Sequence, residues 1–204
     1  MKTGPTPEIP QRQIRAIFDQ ETITVYQAYS DAIADAAISA GRFGPPFSLS
    51  RMTWIKPSFM WMMYRSAWAT KPGQERVLAI RISRIGFEWA LAHSCLASFD
   101  PHVYGNQAEW LERKRVSPIR VQWDPERAWD LTPLPWRSIQ VGLSGEAIHS
   151  YVNTWTVQID DITPLVKCAR PSRANIGKHE LDTILSHEKP YPLTGSLRTT
   201  IGAS

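Results

Sequence analysis

The stretch Thr22-Ile-Thr-Val-Tyr-Gln-Ala-Tyr-Ser-Asp-Ala-Ile-Ala-Asp-Ala-Ala-Ile-Ser-Ala-Gly41 sets the fold class. Thr22–Tyr26 is almost entirely β-branched or aromatic and reads as a strand. Ser30–Ala40 reads as a helix: Ser30 is a capping residue, Ile33, Ala37 and Ala40 mark one stripe, and Gly41 supplies the stop. No glycine cluster joins the two, so this is not the phosphate-binding turn of a doubly wound parallel sheet.

Outward from this pair, Ile14–Phe18 reads as a short strand and Arg51–Ile55 as another. Pro57 or Ser58 opens a helix through about Ser66. Arg76–Ser83 alternates as a strand does, Phe87–Ala97 reads as a helix, and Trp110–Lys114 as a short one. Further strands are expected at Ile119–Trp123, Ser138–Leu143 and Trp155–Ile159, with 124–135 a loop. Helices are expected at Ser144–Val152, Asp161–Ala169 and His179–Leu185, and Lys189–Leu193 is extended. The elements interleave without a regular βαβ beat. The expectation is a single α+β domain with a mixed or mostly antiparallel sheet, open to being split, flanked by helices. Residues 1–10 read as a disordered tail, 11–193 as the globular domain and 194–204 as a flexible tail.

The 204 residues suffice for one sizeable core, and 43% hydrophobic with 21% charged residues excludes wholesale disorder. A net charge of +4 suits a polyanionic partner such as a nucleotide or nucleic acid without requiring one. Nine tryptophans serve cores, interfaces and base-stacking sites alike, so their number alone does not choose. Cys95 and Cys168 sit in apolar surroundings without a CxxC partner and read as reduced, buried thiols. The first residues lack the apolar segment of a signal peptide, and no apolar run reaches the roughly 18 residues of a membrane span. A soluble, cytoplasmic protein with no membrane partner is therefore expected.

Chemistry concentrates in Arg51–Trp68. After Pro57, Trp61, Tyr64, Arg65 and Trp68 recur at helical spacing on one face, which suits either a core stripe or a ligand wall. Arg51, Lys56 and Arg65 are threaded among these aromatics, and a nucleotide site needs both cations for phosphate and flat rings for the base. Strand alternation puts Arg120 with Gln122 on one face, and Ser138 with Gln140 opposite Arg137, Ile139 and Val141. Such polar faces line a pocket or meet solvent. The histidines are scattered and no metal is expected; GxSxG and Walker A patterns are absent. Glu75, Glu88, Asp124, Glu126 and Glu146 are available as general bases, though no spacing pairs them. His149 and Tyr151 read as surface or half-buried.

Four strings carry a resemblance: Thr-Val-Tyr-Gln-Ala-Tyr (24–29), Arg-Met-Thr-Trp-Ile-Lys-Pro-Ser-Phe-Met-Trp-Met-Met-Tyr-Arg-Ser (51–66), Val-Gln-Trp-Asp-Pro-Glu-Arg (121–127) and Arg-Ser-Ile-Gln-Val-Gly-Leu (137–143). Together they resemble the DUF4291 family over about Arg12 to Leu193. The family implies no reaction. At the level of fold, the opening strand and helix are similar to ADP-ribosyltransferases, which implies NAD bound in a cleft between split sheets. Gln27 stands where that fold usually has His or Arg, and the late catalytic Glu has only Gln140 or Glu146 as counterparts.

Three readings follow. In the first, an enzyme acts on NAD or another nucleotide: Arg51, Lys56, Arg65 and Arg120 meet phosphate, and Tyr26 or Trp54 stacks the base. Gln27, Gln122, Arg137 and Gln140 then line the pocket, with Glu146 or Glu126 as acid or base. In the second, the same aromatic and basic set binds RNA or DNA without catalysis. In the third, an interaction protein buries its tryptophans and solvates its charges. Oligomeric state is not legible.

Overall fold

A short strand, β1 (Arg15–Ala16), precedes β2 (Thr22–Tyr29), and α1 (Asp31–Ala40) follows. The computed structural model describes residues 9–170 and 178–204. Next come β3 (Thr53–Ile55), α2 (Phe59–Ser66), β4 (Arg76–Ser83), α3 (Arg84–Ala92), β5 (Ser94–Leu96) and α4 (Gln107–Val116). The chain continues through β6 (Ile119–Arg127), β7 (Pro133–Leu143), and α5 (Glu146–Ser150), which runs into a π-helical turn at Tyr151–Trp155. It closes with β8 (Thr156–Asp161), α6 (Thr163–Ala169), α7 (Lys178–His187), β9 (Lys189–Pro190) and α8 (Gly195–Ile201).

The fold is a single α+β domain whose strands form three mostly antiparallel sheets. One sheet has the order β2-β4-β8, a second β3-β7-β6-β5, and β1 pairs with β9. Among the described strands only β5 and β6 run parallel, and α4 provides the crossover that such a pair requires. The two larger sheets meet at one bridge, where the Tyr26 N–H donates to the Lys56 carbonyl at 2.7 Å. Ile23, Val25, Ile80, Ile82, Val121, Ile139 and Val141 supply the inward faces of both sheets to one core. Each such side chain contributes roughly 1.5–3 kcal/mol.

Several local expectations change. Residues 124–135 form a hairpin rather than a loop: β6 and β7 stay paired out to Arg127 and Pro133, with a register shift after Pro125. Asp130 folds the turn, its carboxylate accepting from the Thr132 hydroxyl at 2.6 Å and amide at 3.0 Å. The helix expected through Ala97 ends at Ala92, and Ser94–Leu96 pairs with Ile119–Val121, because a continuous apolar run serves a buried strand as well as a helix.

The C-terminus is not a flexible tail. Thr194 caps α8, whose Leu197 and Ile201 are buried, and the Ile201 carbonyl accepts the Trp123 indole N–H at 2.7 Å. The Gly-Ser-Leu-Arg-Thr-Thr sequence has little helical propensity of its own, so tertiary packing supplies the order. Of the expected N-terminal tail, residues 1–8 lie outside the described residues. Trp68 does not extend the α2 face. The helix stops at Ser66, and Ala67, Trp68 and Ala69 all take left-handed backbone angles, φ 49°, 55° and 60°. That turn drops the indole into a second cluster with Tyr26, Phe59, Met63 and Val77, which offsets the steric cost of the conformation. Cys95 is buried as expected, whereas Cys168 is exposed.

Candidate functional site

β3 is only three residues long, yet it organises the site. Thr53 and Ile55 face inward, while Trp54 takes the opposite face, as strand alternation requires. Pairing of Trp54 with Gly142 and Ile55 with Val141 places Lys56, one step on, alongside Gln140, which itself pairs with Gln122. Lys56, Gln140 and Gln122 thus form a polar row across β3, β7 and β6. Ser58 caps α2 by accepting the Trp61 N–H at 3.1 Å, and the helix lays Trp61, Tyr64 and Arg65 beside that row.

A cleft with two lobes results. The first, about 390 Å³, is lined by Gln27, Tyr29, Phe47, Arg51, Trp54, Lys56 and Arg65 among others. The second, about 430 Å³, is lined by Trp54, Lys56, Trp61, Tyr64, Arg65, Gln122, Asp124 and Gln140. Both volumes lie in the range of small-molecule sites. Trp54, Lys56 and Arg65 border both lobes.

Lys56 is only 6% exposed, and the one hydrogen bond its amine makes among the described residues is from Nζ to the Trp54 carbonyl at 3.0 Å. Burial, reinforced by the Arg65 charge and opposed by Asp124, brings its amine down to about 7. At neutral pH the amine is therefore poised between charged and neutral forms.

The wall of the first lobe is a buried hydrogen-bonded chain. The Tyr151 hydroxyl donates to Gln27 Oε1 at 2.6 Å, and Gln27 Nε2 donates to Thr53 Oγ1 at 2.7 Å and the Trp54 carbonyl at 3.2 Å. Tyr29 joins the same Thr53 hydroxyl at 3.0 Å. Tyr151, expected near the surface, is fully buried. Trp54 lies across Gly142, where a Cβ would approach its ring to 3.0 Å and Met52 Sδ to 2.7 Å. Only glycine leaves room for that ring.

In the second lobe the Asp124 carboxylate accepts Gln122 Nε2 at 2.8 Å and Gln140 Nε2 at 2.7 Å. Arg127 forms no ion pair with it; its guanidinium lies 3.7 Å from the Tyr64 ring centroid, and Tyr64 stacks on Trp61 at 5.1 Å. The shielded Trp61 indole N–H has no acceptor among the described residues.

Of the sequence-nominated residues, Gln27, Arg51, Trp54, Lys56, Arg65, Gln122 and Gln140 line the cleft. The others lie elsewhere. Tyr26 is buried on the other side of β2 from Gln27, edge-on to Phe59 at 5.5 Å, so it stacks no base. Arg120 donates to the carbonyls of Lys114, Ser117 and Ile119, closing the end of α4. Arg137 donates to the Trp123 carbonyl at 3.1 Å and borders a different hollow with Arg12 and Asp100. Glu146 is exposed in the first turn of α5, away from both lobes. Glu126 is buried at the start of α2, accepting from the Ser58 hydroxyl and the Arg127 amide, each at 2.9 Å. Beside it Glu188 accepts the Phe59 amide at 2.7 Å; burial and the neighbouring Glu126 push its carboxyl up to about 8. Asp124, which the sequence offers only as one of five carboxylates available as a general base, is the acid that lines the second lobe.

The DUF4291 family model, described as a domain of unknown function, matches residues 13–191. The chain belongs to that family. The matched span contains every residue of both lobes, so the DUF4291 domain includes the whole cleft. No curated protein matches the chain.

Proposed function

We propose that this DUF4291 protein binds a nucleotide or similarly built phosphorylated ligand in the cleft. Arg51 and Arg65 meet the phosphate, Trp54 stacks the ring, and Lys56 faces the ligand where the lobes join.

One observation carries this reading. Arg12, Arg76, Arg81, Arg84 and Arg115 pair with carboxylates and Arg113, Arg120, Arg127 and Arg137 donate to backbone carbonyls, whereas Arg51 and Arg65, both on the cleft wall, make neither kind of contact among the described residues. Two unpaired guanidinium groups flanking a buried amine and an indole match an anion joined to a planar ring. Binding, rather than ADP-ribosyl transfer, is what these residues support, since Glu126 and Glu146 do not line the cleft.

Thermal unfolding of wild type and the Arg51→Ala/Arg65→Ala pair, with NAD, ATP, GTP or a short RNA, tests the reading. A nucleotide at about 100 times its Kd should raise the wild-type Tm by about 5–10 °C. The double variant should lose that shift. No shift with any nucleotide overturns the proposal. A shift with RNA alone, falling steeply with salt, assigns the surface to nucleic acid instead.

A further inference from the structure

Between Asp35 and Glu75 the chain has no acidic residue and five basic ones, Arg42, Arg51, Lys56, Arg65 and Lys71. That one segment more than accounts for the net charge of +4. Lys56 is the buried amine of the cleft, and the other four are exposed. None of the four has a side-chain hydrogen bond or ion pair among the described residues.

The fold gathers them at the first lobe. Arg42 follows the Gly41 stop of α1, on a loop seated by Phe43, which is buried against Phe47 with ring centroids 4.8 Å apart. Pro46 and Phe47 of that loop line the lobe, and so does Arg51. Arg65, in the last turn of α2, lines it too. Lys71 opens a turn closed by the Gln74 N–H on the Lys71 carbonyl at 2.9 Å, and Gly73 and Gln74 of that turn are also on the lobe wall. Arg42 and Lys71 therefore stand on two loops that border the lobe, outside the cations that line it. The acids at either end of the segment are engaged: Asp31 and Asp35 pair with Arg76, and Glu75 accepts the Gly73 amide at 2.8 Å.

We propose that the nucleotide held in the cleft is one residue of a single-stranded nucleic acid, whose neighbouring phosphates run over Arg42 and Lys71 at the mouth of the first lobe. This rests on the nucleotide reading above and adds what the nucleotide is attached to. A free mononucleotide leaves Arg42 and Lys71 without a counter-charge, whereas a strand supplies one to each. The strand is single because a ring must leave its pair and its stack to lie on Trp54, whose other side is closed by Gly142. Tyr64, the exposed aromatic beside the lobes, is already engaged by Arg127 and Trp61 and gives later bases no platform. Beyond the first residue the strand is held by its backbone and not by its sequence.

The test is calorimetric titration of wild type with adenosine monophosphate and with a 5′-phosphorylated adenylate trimer, as RNA and as DNA. The trimer should bind at least about 10-fold tighter, above the roughly 3-fold that its choice of registers supplies. Arg42→Ala/Lys71→Ala should lose that gain, keep monophosphate binding within about 3-fold of wild type, and flatten the slope of log affinity against log salt by about 1.4. Inorganic tripolyphosphate should bind at least about 10-fold more weakly than the trimer. A gain shared by RNA and DNA, or confined to one, supports the surface and identifies the sugar it accepts. A wild-type gain of no more than about 3-fold, or one that survives the double variant, overturns the strand surface and leaves the nucleotide site standing. Tripolyphosphate binding as tight as the trimer overturns the assignment to nucleic acid. Binding of neither the monophosphate nor the trimer overturns both readings.

Discussion

The Tyr151 hydroxyl donates to the Gln27 amide oxygen at 2.6 Å, joining residues 124 positions apart. Through Gln27 the contact reaches Thr53 and the Trp54 carbonyl, so the π-helical turn after α5 fixes the strand that carries the cleft. Tyr151→Phe keeps the ring and its stacking on Phe43 but leaves a buried amide oxygen without a donor. The expected cost is about 1–3 kcal/mol, read as a fall in the midpoint of urea unfolding. An unchanged midpoint would show that the chain does not hold β3 in place.

Gly142→Ala tests whether Trp54 must lie flat. The added Cβ would come within 3.0 Å of the indole and 2.7 Å of Met52 Sδ. Trp54 is half-buried and can rotate outward, so most of the strain should appear as a displaced platform rather than as unfolding. Nucleotide affinity should fall about 10-fold, with a stability loss near 1 kcal/mol. Retention of full affinity would exclude Trp54 as the stacking surface.

Glu188 makes a pH prediction. Its folded carboxyl sits at about 8, above the ordinary carboxyl value of 4.5, so the folded state holds the extra proton between those values. Stability contributed by this group is complete below 4.5 and is lost as pH rises through 8. Glu188→Gln keeps an oxygen for the Phe59 amide and removes the charge. The variant should match wild type near pH 5 and exceed it in stability at pH 8.5, measured by urea unfolding at both. A variant no more stable at the higher pH would contradict the buried-carboxyl account.

Much of this fold was legible in the sequence. The β-branched run at 22–26 and the alternation at 76–83 announced the paired strands β2 and β4, because period-two burial leaves a direct mark on composition. β5 and α8 were not legible. Ser94–Leu96 is too short and too apolar to show a period, and α8 is ordered by contacts with α3 and β5 rather than by its own residues. The site was half legible for the same reason. Arg51, Trp54, Lys56 and Arg65 are close in sequence, and their chemistry is visible there. Asp124 required knowing that β6 runs on past Trp123, which puts Gln122 and Asp124 on the face shared by Gln140. Glu126, two residues further on, was nominated instead and is buried under α2.

Lys56 carries the central claim: a buried amine with one hydrogen bond among the described residues is retained for a ligand, at a cost in stability. Its amine falls from 10.5 in the unfolded chain to about 7 in the folded one. The unfolded state binds the extra proton between those values, so on this group's account stability rises with pH from 7 to 10.5. Lys56→Met, of similar length and apolar, should therefore be more stable than wild type at pH 6.5, with the gain shrinking toward pH 10. A bound phosphate would pull the amine back to its charged form, so binding should take up a proton and weaken between pH 7 and pH 9.

The decisive measurement is calorimetric titration of guanosine triphosphate into wild type and Lys56→Met at pH 7, in two buffers of different ionisation enthalpy. The expected result is proton uptake on binding by wild type, and affinity at least about 10-fold lower in a variant that unfolds at a higher temperature. Equal affinity in the two proteins, with no proton taken up by wild type, would contradict the account.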